Sequence, residues 1–514
     1  LHWEVEADER YPLLGVRVVA EGGSFSDGEQ LLLPVLSNQV FITETLPLTV
    51  RGGEQKEYSL EQLFNGHHLQ ATDRRLTVEC TGNPAWYAVQ ALPSLNTPSS
   101  DNATDWATAY YANTLASFIA QSQPKIQAMI TQWKSQGGSK ETFLSQLEKN
   151  PELKNILLSE SPWLLEATTE AEQRARIATL FDLNQLKDRN YAALTKLKEL
   201  QDANGAWSWY KGMHPSHSMT TYITELLVRL PLLTGKALED EAVVIRQKAF
   251  AYLQQQFQEE YKERVKAERK GARYTTPSAT ALQYLYLIAL SGEKVPDTYR
   301  KAYLYFLDKV NGLLQSGSVA EKSQAAVILW KNGRTSQAEE FVASLREHLV
   351  QEPELGAHFA FLDEACQWGM MPIPTHVQAM EAFRCVGGQD ALLEEMKLWL
   401  LKQKQTSCWT SSVATADAIY ALLMQGRNLL EDSGEVRITL GNRVIHTSDA
   451  AMAGLNYVKE TFAGGSAEVD VRQLTVDNRS EGMAWGAVYA QYLIPISEVK
   501  QQGGALSVQK QLFV

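Results

Sequence analysis

The hydrophobic residues of this chain change their period twice, and that change constrains the fold more than any other feature. Near the start, Leu46, Leu48 and Val50, and then Leu76, Val78 and Cys80, alternate with polar or small neighbours. A period of two puts every second side chain on one face of a strand. Gly22-Gly23 and Gly52-Gly53 punctuate these stretches, as turns between strands require. From about Trp86 to Gly426 the period lengthens. Met219, Tyr222, Ile223, Leu226, Leu227 and Leu230 keep one apolar face over three helical turns, while Ala279 to Leu290 is apolar almost all round. The second pattern suits a helix with neighbours on both sides. Five helical stretches end at Gly235, Gly292, Gly333, Gly387 and Gly426, spaced alternately by roughly 55 and 40 residues, which suggests C-caps in a degenerate repeat of stacked helical hairpins.

From about Gly434 the alternation returns. Val436, Ile438 and Leu440 form a strand, Gly441-Asn442 a tight turn, and Val444-Ile445 the way back. Further strands are expected at Val469–Val476 and Trp485–Leu493. The order therefore predicts a β segment over 1–83, a helical domain over 84–430 and a second β segment over 431–514. A helical domain inserted into a β-sandwich is the simplest arrangement, since insertion is easy where a host's chain ends lie close together. The 514 residues suffice for two or three domains with sizeable cores.

Charge and cysteine usage remove several function classes. With 48 basic and 60 acidic residues the net charge is −12, which disfavours nucleic acid and anionic lipid as partners. The basic run from Lys262 to Arg273 is interleaved with Glu263 and Glu268 and reads as a solvated helix face. Cys80, Cys366, Cys385 and Cys408 are scattered and form no CxxC pair, against both a disulfide framework and a zinc knuckle. No apolar run approaches the roughly 20 residues that span a bilayer. The opening LHWEVEADER has no Met, basic region or apolar core, so a fragment of a longer polypeptide is expected, with any membrane tether outside it.

Two places in the helical stretch share a spacing. Gln201 precedes Trp207 by six residues in QDANGAW, and Gln403 precedes Trp409 by six in QKQTSCW. The first fits Q-x-x-x-G-x-W, a pattern seen in α/α-toroid proteins, where the Gln amide bonds to a helix end and the indole covers the turn. Trp207, Trp209 and Trp409 are expected to be packing residues that seal helix ends; an aromatic ligand platform is the alternative. An enzyme on such a fold needs an acidic cluster or an Asp/Cys/His zinc site. The sequence has no DxDD or DDxxD and no convincing zinc ligand set.

The segments LLPVLSNQVFITETLPLTVRG (31–52), NPAWYAVQALPSL (83–95), YYAN (110–113), LKQKQTSCWTSSVATADAIYALL (401–423) and WGAVYAQY (485–492) resemble bacterial alpha-2-macroglobulins of the Bacteroidetes type, in order and over nearly the whole chain. The resemblance implies an α/α-toroid thioester domain (terpenoid cyclase/prenyltransferase-like) flanked by two halves of a CUB-like antiparallel β-domain. It also implies a Cys-x-Glu-Gln motif after the ALPxL run, whose Cys and Gln condense into a buried thioester. Counting back from Tyr110-Tyr111, those positions fall on Asn102, Thr104 and Asp105, and no cysteine lies within twenty residues on either side. An Asn–Asp pair cannot form a thioester.

The family adds a downstream histidine that assists acyl transfer; here His214 and His217 stand at about that distance, after Trp207, Trp209 and Tyr210. Without a thioester they are expected to be solvent-exposed loop histidines, the loop being a relic or a binding surface; half of a metal site is the other reading. His67-His68 are similarly unpaired, and Asn102-Ala-Thr and Asn478-Arg-Ser are formal glycosylation sequons. By resemblance, then, the expected function is inhibition of endopeptidases by steric trapping, without a cofactor or covalent capture, in the periplasm or cell envelope. A non-catalytic binding scaffold is the alternative, and an α/α-toroid enzyme a third.

Overall fold

The computed structural model describes residues 13–34, 39–61, 63, 71–83, 85–122, 180–352, 355–360, 371–404, 408–424, 435–447, 457–480 and 482–495. His67, His68, Cys366 and Gly426 lie outside them. The chain divides into two compact units. One takes in Leu1–Gly82 and Ser433–Val514, with Ser139–Ala167 outside the described residues; the other takes in Asn83–Gly138 and Thr168–Asp432.

The first unit is antiparallel sheet. Strands β3 (Gln39–Val50), β5 (Thr72–Thr81), β10 (Tyr457–Ala463) and β12 (Ala484–Pro495) form one sheet in the order β10-β5-β12-β3. Strands β4 (Gln55–Ser59), β8 (Val436–Leu440), β9 (Arg443–His446) and β11 (Gln473–Asn478) form another, in the order β4-β11-β8-β9. Both sheets mix strands from either side of the helical stretch. Their buried faces share one core: Leu48, Val50, Leu76 and Val78 join Val488 from the first sheet, and Ile438, Leu440, Leu474 and Val476 come from the second. Tyr58 on β4 ties the sheets, its hydroxyl accepting from Thr49 N–H at 2.8 Å and donating to Thr49 O at 2.7 Å. Strands β1 (Leu13–Gly22) and β2 (Phe25–Pro34) form a separate hairpin that exposes Val18, Val19, Phe25 and Leu31.

The expected alternation at Leu46–Val50, Leu76–Cys80 and Val436–Leu440 lies in strands, and Gly441-Asn442 joins β8 to β9. The strand expected from Val469 begins only at Gln473, because Ala467–Asp470 is a turn of 3-10 helix. Asn478, the second sequon residue, is fully buried. Its amide donates to Val50 O at 3.0 Å and Gly482 O at 2.9 Å, so it is a structural crosslink and no acceptor for a sugar.

The second unit is helical: α1 (Ala85–Ala91), α2 (Ala103–Ser122), α3 (Leu183–Leu200), α4 (His217–Thr234), α5 (Asp240–Glu268), α6 (Ala279–Ser291), α7 (Asp297–Leu307), α8 (Leu313–Ser316), α9 (Val319–Lys331), α10 (Thr335–Glu347), α11 (Pro372–Val386), α12 (Asp390–Lys402) and α13 (Ser412–Leu423), with a two-stranded β6–β7 ribbon (Val350–Glu352, Gly356–His358). Serine caps start several of them. The Ser216, Ser278 and Ser411 hydroxyls accept the third helical N–H, and Ser318 with Glu321 makes a full capping box, satisfying amides that have no partner inside the helix. Helix α2 packs on α4, α4 on α6, α6 on α9, α9 on α11, α11 on α13, and α13 back on α2, closing a ring. Around it, α3 lies against α2, α5 against α4, α10 against α9 and α12 against α11. Helical hairpins are therefore present, but they close in a circle instead of stacking in a row.

The glycine signals are mixed. Gly235 and Gly292 end α4 and α6 in the left-handed conformation; Gly333 lies one residue beyond the cap Asn332, and Gly387 caps α11 with an extended ψ of 175°. Helix α6 is buried from Ala281 to Leu290 apart from Gln283. Helix α4 departs from the one-faced expectation: besides Met219, Ile223, Leu226, Leu227 and Leu230 it buries Thr220, Thr224, Glu225 and Arg229. Its polar side points to other helices, not to water. The Lys262–Arg273 run is likewise not wholly solvated, since Arg264 pairs with Glu260 at 2.8 Å and lies over the rings of Tyr274 and Phe306.

Candidate functional site

The positions that resemblance assigns to a reactive acyl group start α2. Asn102 is its N-cap: the side-chain oxygen accepts Asp105 N–H at 2.8 Å, and the amide donates to Ser100 Oγ at 2.5 Å. Thr104 is buried, its hydroxyl without a partner among the described residues. Asp105, also buried, is the hub. Its Oδ2 accepts from Ser99 Oγ at 2.5 Å, Ser100 N–H at 3.0 Å and Ser100 Oγ at 3.3 Å, and its Oδ1 from Ser412 Oγ at 3.3 Å. It sits in the first turn of α2 and meets the first residue of α13. Asn102 and Asp105 are thus committed to closing the loop, and neither supplies a thiolate.

The loop between α3 and α4 carries the second group of expected residues. Trp207 is fully buried. Its indole N–H donates to Leu197 O in the last turn of α3 at 2.9 Å, and its backbone N–H to Thr220 Oγ1 of α4 at 2.9 Å. Gln201 donates to Gly205 O and to Ile245 O of α5. The roles are exchanged relative to expectation: the indole bonds to the helix end, and the amide ties the turn to a neighbouring helix. Trp409 repeats the pattern, donating to Leu400 O at 2.7 Å through its indole and to Thr415 Oγ1 at 3.0 Å through its backbone. Gln403 is exposed, so the resemblance between the two turns rests on tryptophan and threonine.

Trp209 and Tyr210 do not seal a helix end; they are 42% and 48% exposed, beside Met213 at 55%. Trp209 O accepts the first N–H of α2, from Ala103, at 3.3 Å, which places the exposed aromatic loop next to the Asp105 loop. His214 is an exposed loop residue, as expected. His217 is not: it is the first residue of α4, half-buried, with Nδ1 3.4 Å from Thr221 Oγ1, and burial lowers its pKa. Among the described residues no cluster of His, Cys, Asp and Glu is arranged to hold a metal, and no helix is long and apolar enough to cross a membrane.

Inside the ring is a polar group that sequence reasoning missed. Arg229, 1% exposed, pairs with Glu225 at 2.6 Å and Asp417 at 2.5 Å and lies 4.2 Å from the Tyr420 ring centroid. Glu381 accepts from the Tyr420 hydroxyl at 2.6 Å and from the Tyr286 hydroxyl. The one sequence signal was Glu225 and Arg229 four residues apart in a helix with no other Asp, Glu, Lys or Arg.

No family model matches the chain, and no curated protein matches it. The solved structures it matches include native Escherichia coli alpha-2-macroglobulin, at 12% identity and a TM-score of 0.43, over 94% of this chain and 25% of that one. They also include a shorter crystal structure of the native E. coli protein, reaching its C-terminus, at 13% identity and a TM-score of 0.44 over 94% and 62%. A third is Salmonella alpha-2-macroglobulin reacted with methylamine, at 12% identity and a TM-score of 0.41 over 94% and 26%. Its structural neighbours are bacterial alpha-2-macroglobulins. The chain spans about a quarter of the first of them and under two thirds of the second.

Proposed function

We propose that this chain is the thioester-domain region of an alpha-2-macroglobulin-like protein that blocks endopeptidases sterically, without a covalent bond. In this reading the helical ring is an α/α-toroid, the strand unit is a CUB-like domain, and the parent protein works in the periplasm or cell envelope. The observation that carries it is the Asn102–Asp105 loop. At the positions where the sequence resemblance calls for an acyl-forming pair, Asn102 is spent on capping α2 and Asp105 on the Ser99–Ser100 loop and on Ser412 at the start of α13. The scaffold around a reactive bond is kept while the bond's chemistry is gone. Retaining that scaffold has a use if rearrangement after proteolysis still encloses the protease.

The test uses the parent protein with trypsin or elastase, assayed on a small peptide substrate and on a large protein substrate. Steric trapping leaves peptide cleavage intact and suppresses protein cleavage, and the protease separates from the inhibitor on denaturing gels. Methylamine, which opens thioesters by aminolysis, leaves the mass of the chain unchanged. If both substrates are cut as fast as by free protease, the inhibitor reading fails. The second reading, a binding scaffold, is favoured by the exposed Trp209, Tyr210 and Met213 beside the start of α2. It requires that substitution of these side chains abolish capture of a partner while trapping is absent.

A further inference from the structure

We infer that β1 is a self-pairing edge, through which two copies of this chain join antiparallel about a two-fold axis at Val19. The β1–β2 hairpin is a sheet of two strands, and every residue from Arg17 to Leu31 is exposed. A strand edge with free N–H and C=O groups is a template for a further strand. A lone two-stranded hairpin is marginal in water, so an added strand stabilises it.

The register of the hairpin says which groups are free. Gly23-Ser24 is a two-residue turn, closed by Gly22 opposite Phe25. The closing pair exchanges both of its backbone bonds, and bonded pairs then alternate along the strands. Gly22, Ala20, Val18 and Val16 therefore spend their backbone groups on β2, whereas Glu21, Val19 and Arg17 point theirs outward. The side chains of Arg17, Val19 and Glu21 also share one face of the strand, as a cation, an apolar residue and an anion in order. Reversed about Val19, that stripe is its own complement: Val19 meets its copy, and Arg17 meets Glu21 twice. Centring the pair on Arg17 or on Glu21 would oppose like charges, which is unfavourable across strands. The β2 edge lacks this property. It carries Asp27 and Glu29 and no base, and its outward Gly28 N–H donates to Asp27 Oδ1 at 2.9 Å. Pairing through one edge, by the same patch on both copies, closes at two chains and builds no fibre.

The test is sedimentation equilibrium of the full chain over roughly 1 to 100 µM, with the mass expected to rise from 57.4 kDa towards twice that value. R17E sets glutamate against glutamate at both charge pairs and E21R sets arginine against arginine; each is expected to weaken the dimer at least about tenfold. Across the hairpin Arg17 faces Gln30 and Glu21 faces Ser26, so neither change breaks an ion pair between β1 and β2. The double variant R17E/E21R restores the dimer, and so does an equimolar mixture of the two single variants, in which one chain brings two acids and the other two bases. Recovery on mixing also separates lost pairing from lost folding, because two misfolded chains would not regain it. A wild-type chain that stays monomeric at the highest concentration overturns the proposal. So does a dimer that R17E and E21R leave intact, or a mixture of the two that stays monomeric.

Discussion

At the scale of single residues, tryptophans and buried titratable groups carry testable weight. Trp207 and Trp409 each satisfy a carbonyl near a helix end with an indole N–H. Replacing Trp207 with Phe keeps most of the apolar bulk and removes the indole bond to Leu197 O, leaving that carbonyl only the Gln201 N–H at 3.1 Å. The expected loss is about 1–2 kcal/mol in denaturant unfolding, against about 3–5 kcal/mol for Trp207→Ala, which also opens a cavity. No loss in Trp207→Phe would show that the hydrogen bond carries nothing. His376 makes a second case. Fully buried, with Nε2 on Met396 O at 3.0 Å, it is held neutral, burial pushing its pKa down to about 3. The unfolded chain binds a proton there below the ordinary value of 6.5 and the folded chain does not. Stability therefore falls as pH drops from about 6.5 towards 3, by up to about 1.4 kcal/mol per pH unit. H376Q should flatten that acid limb, and an unaltered limb would refute the assignment. Both tryptophans were legible as packing residues. Glu225 and Arg229 were legible only as a helical pair, because nothing in their spacing says that Asp417 and Glu381 come to meet them.

At the scale of elements, two glycines show where backbone approaches backbone. A Cβ on Gly486 of β12 would lie 2.0 Å from Glu79 O of β5. A Cβ on Gly205 would lie 2.2 Å from Lys248 O, at a φ of +92°. Gly486→Ala is expected to cost at least about 2 kcal/mol by forcing β5 and β12 apart. Hydrogen exchange is the check: amides of Thr77–Thr81 should lose protection while those of α4 keep theirs. Uniform loss, or none, would contradict the local reading. The strand and helix stretches themselves were readable, since alternation and serine caps are local properties. Val469 was misread because an apolar residue in a short 3-10 turn looks like the first residue of a strand. The α4 face was misread because periodicity reports which residues are apolar, not whether the polar remainder meets water.

At the scale of the whole molecule, the strand unit depends on both ends of the described chain. β12 lies between β5 and β3, so truncation before Ala484 removes the strand that joins them. Residues 1–82 expressed alone are expected to show no cooperative unfolding. Residues 83–432, whose ring of helices closes on itself, are expected to give a helical circular dichroism spectrum and a cooperative melt. A disordered 83–432 fragment would show that the ring does not hold together by its own contacts.

The amino-acid sequence by itself determined the kind and order of the elements, the serine caps, and the lack of a cysteine where an acyl bond would need one. Each of these is written in neighbouring residues, through period, propensity and side-chain chemistry. Tertiary structure alone decided the rest. It paired Cys80 with Val458 and Gly486 across hundreds of residues. It closed the helices into a ring, and it turned Arg229, Glu225, Asp417 and Glu381 inward. A charged side chain can be buried only when partners arrive from other helices, and their arrival is a property of the packed molecule, not of any stretch of its chain.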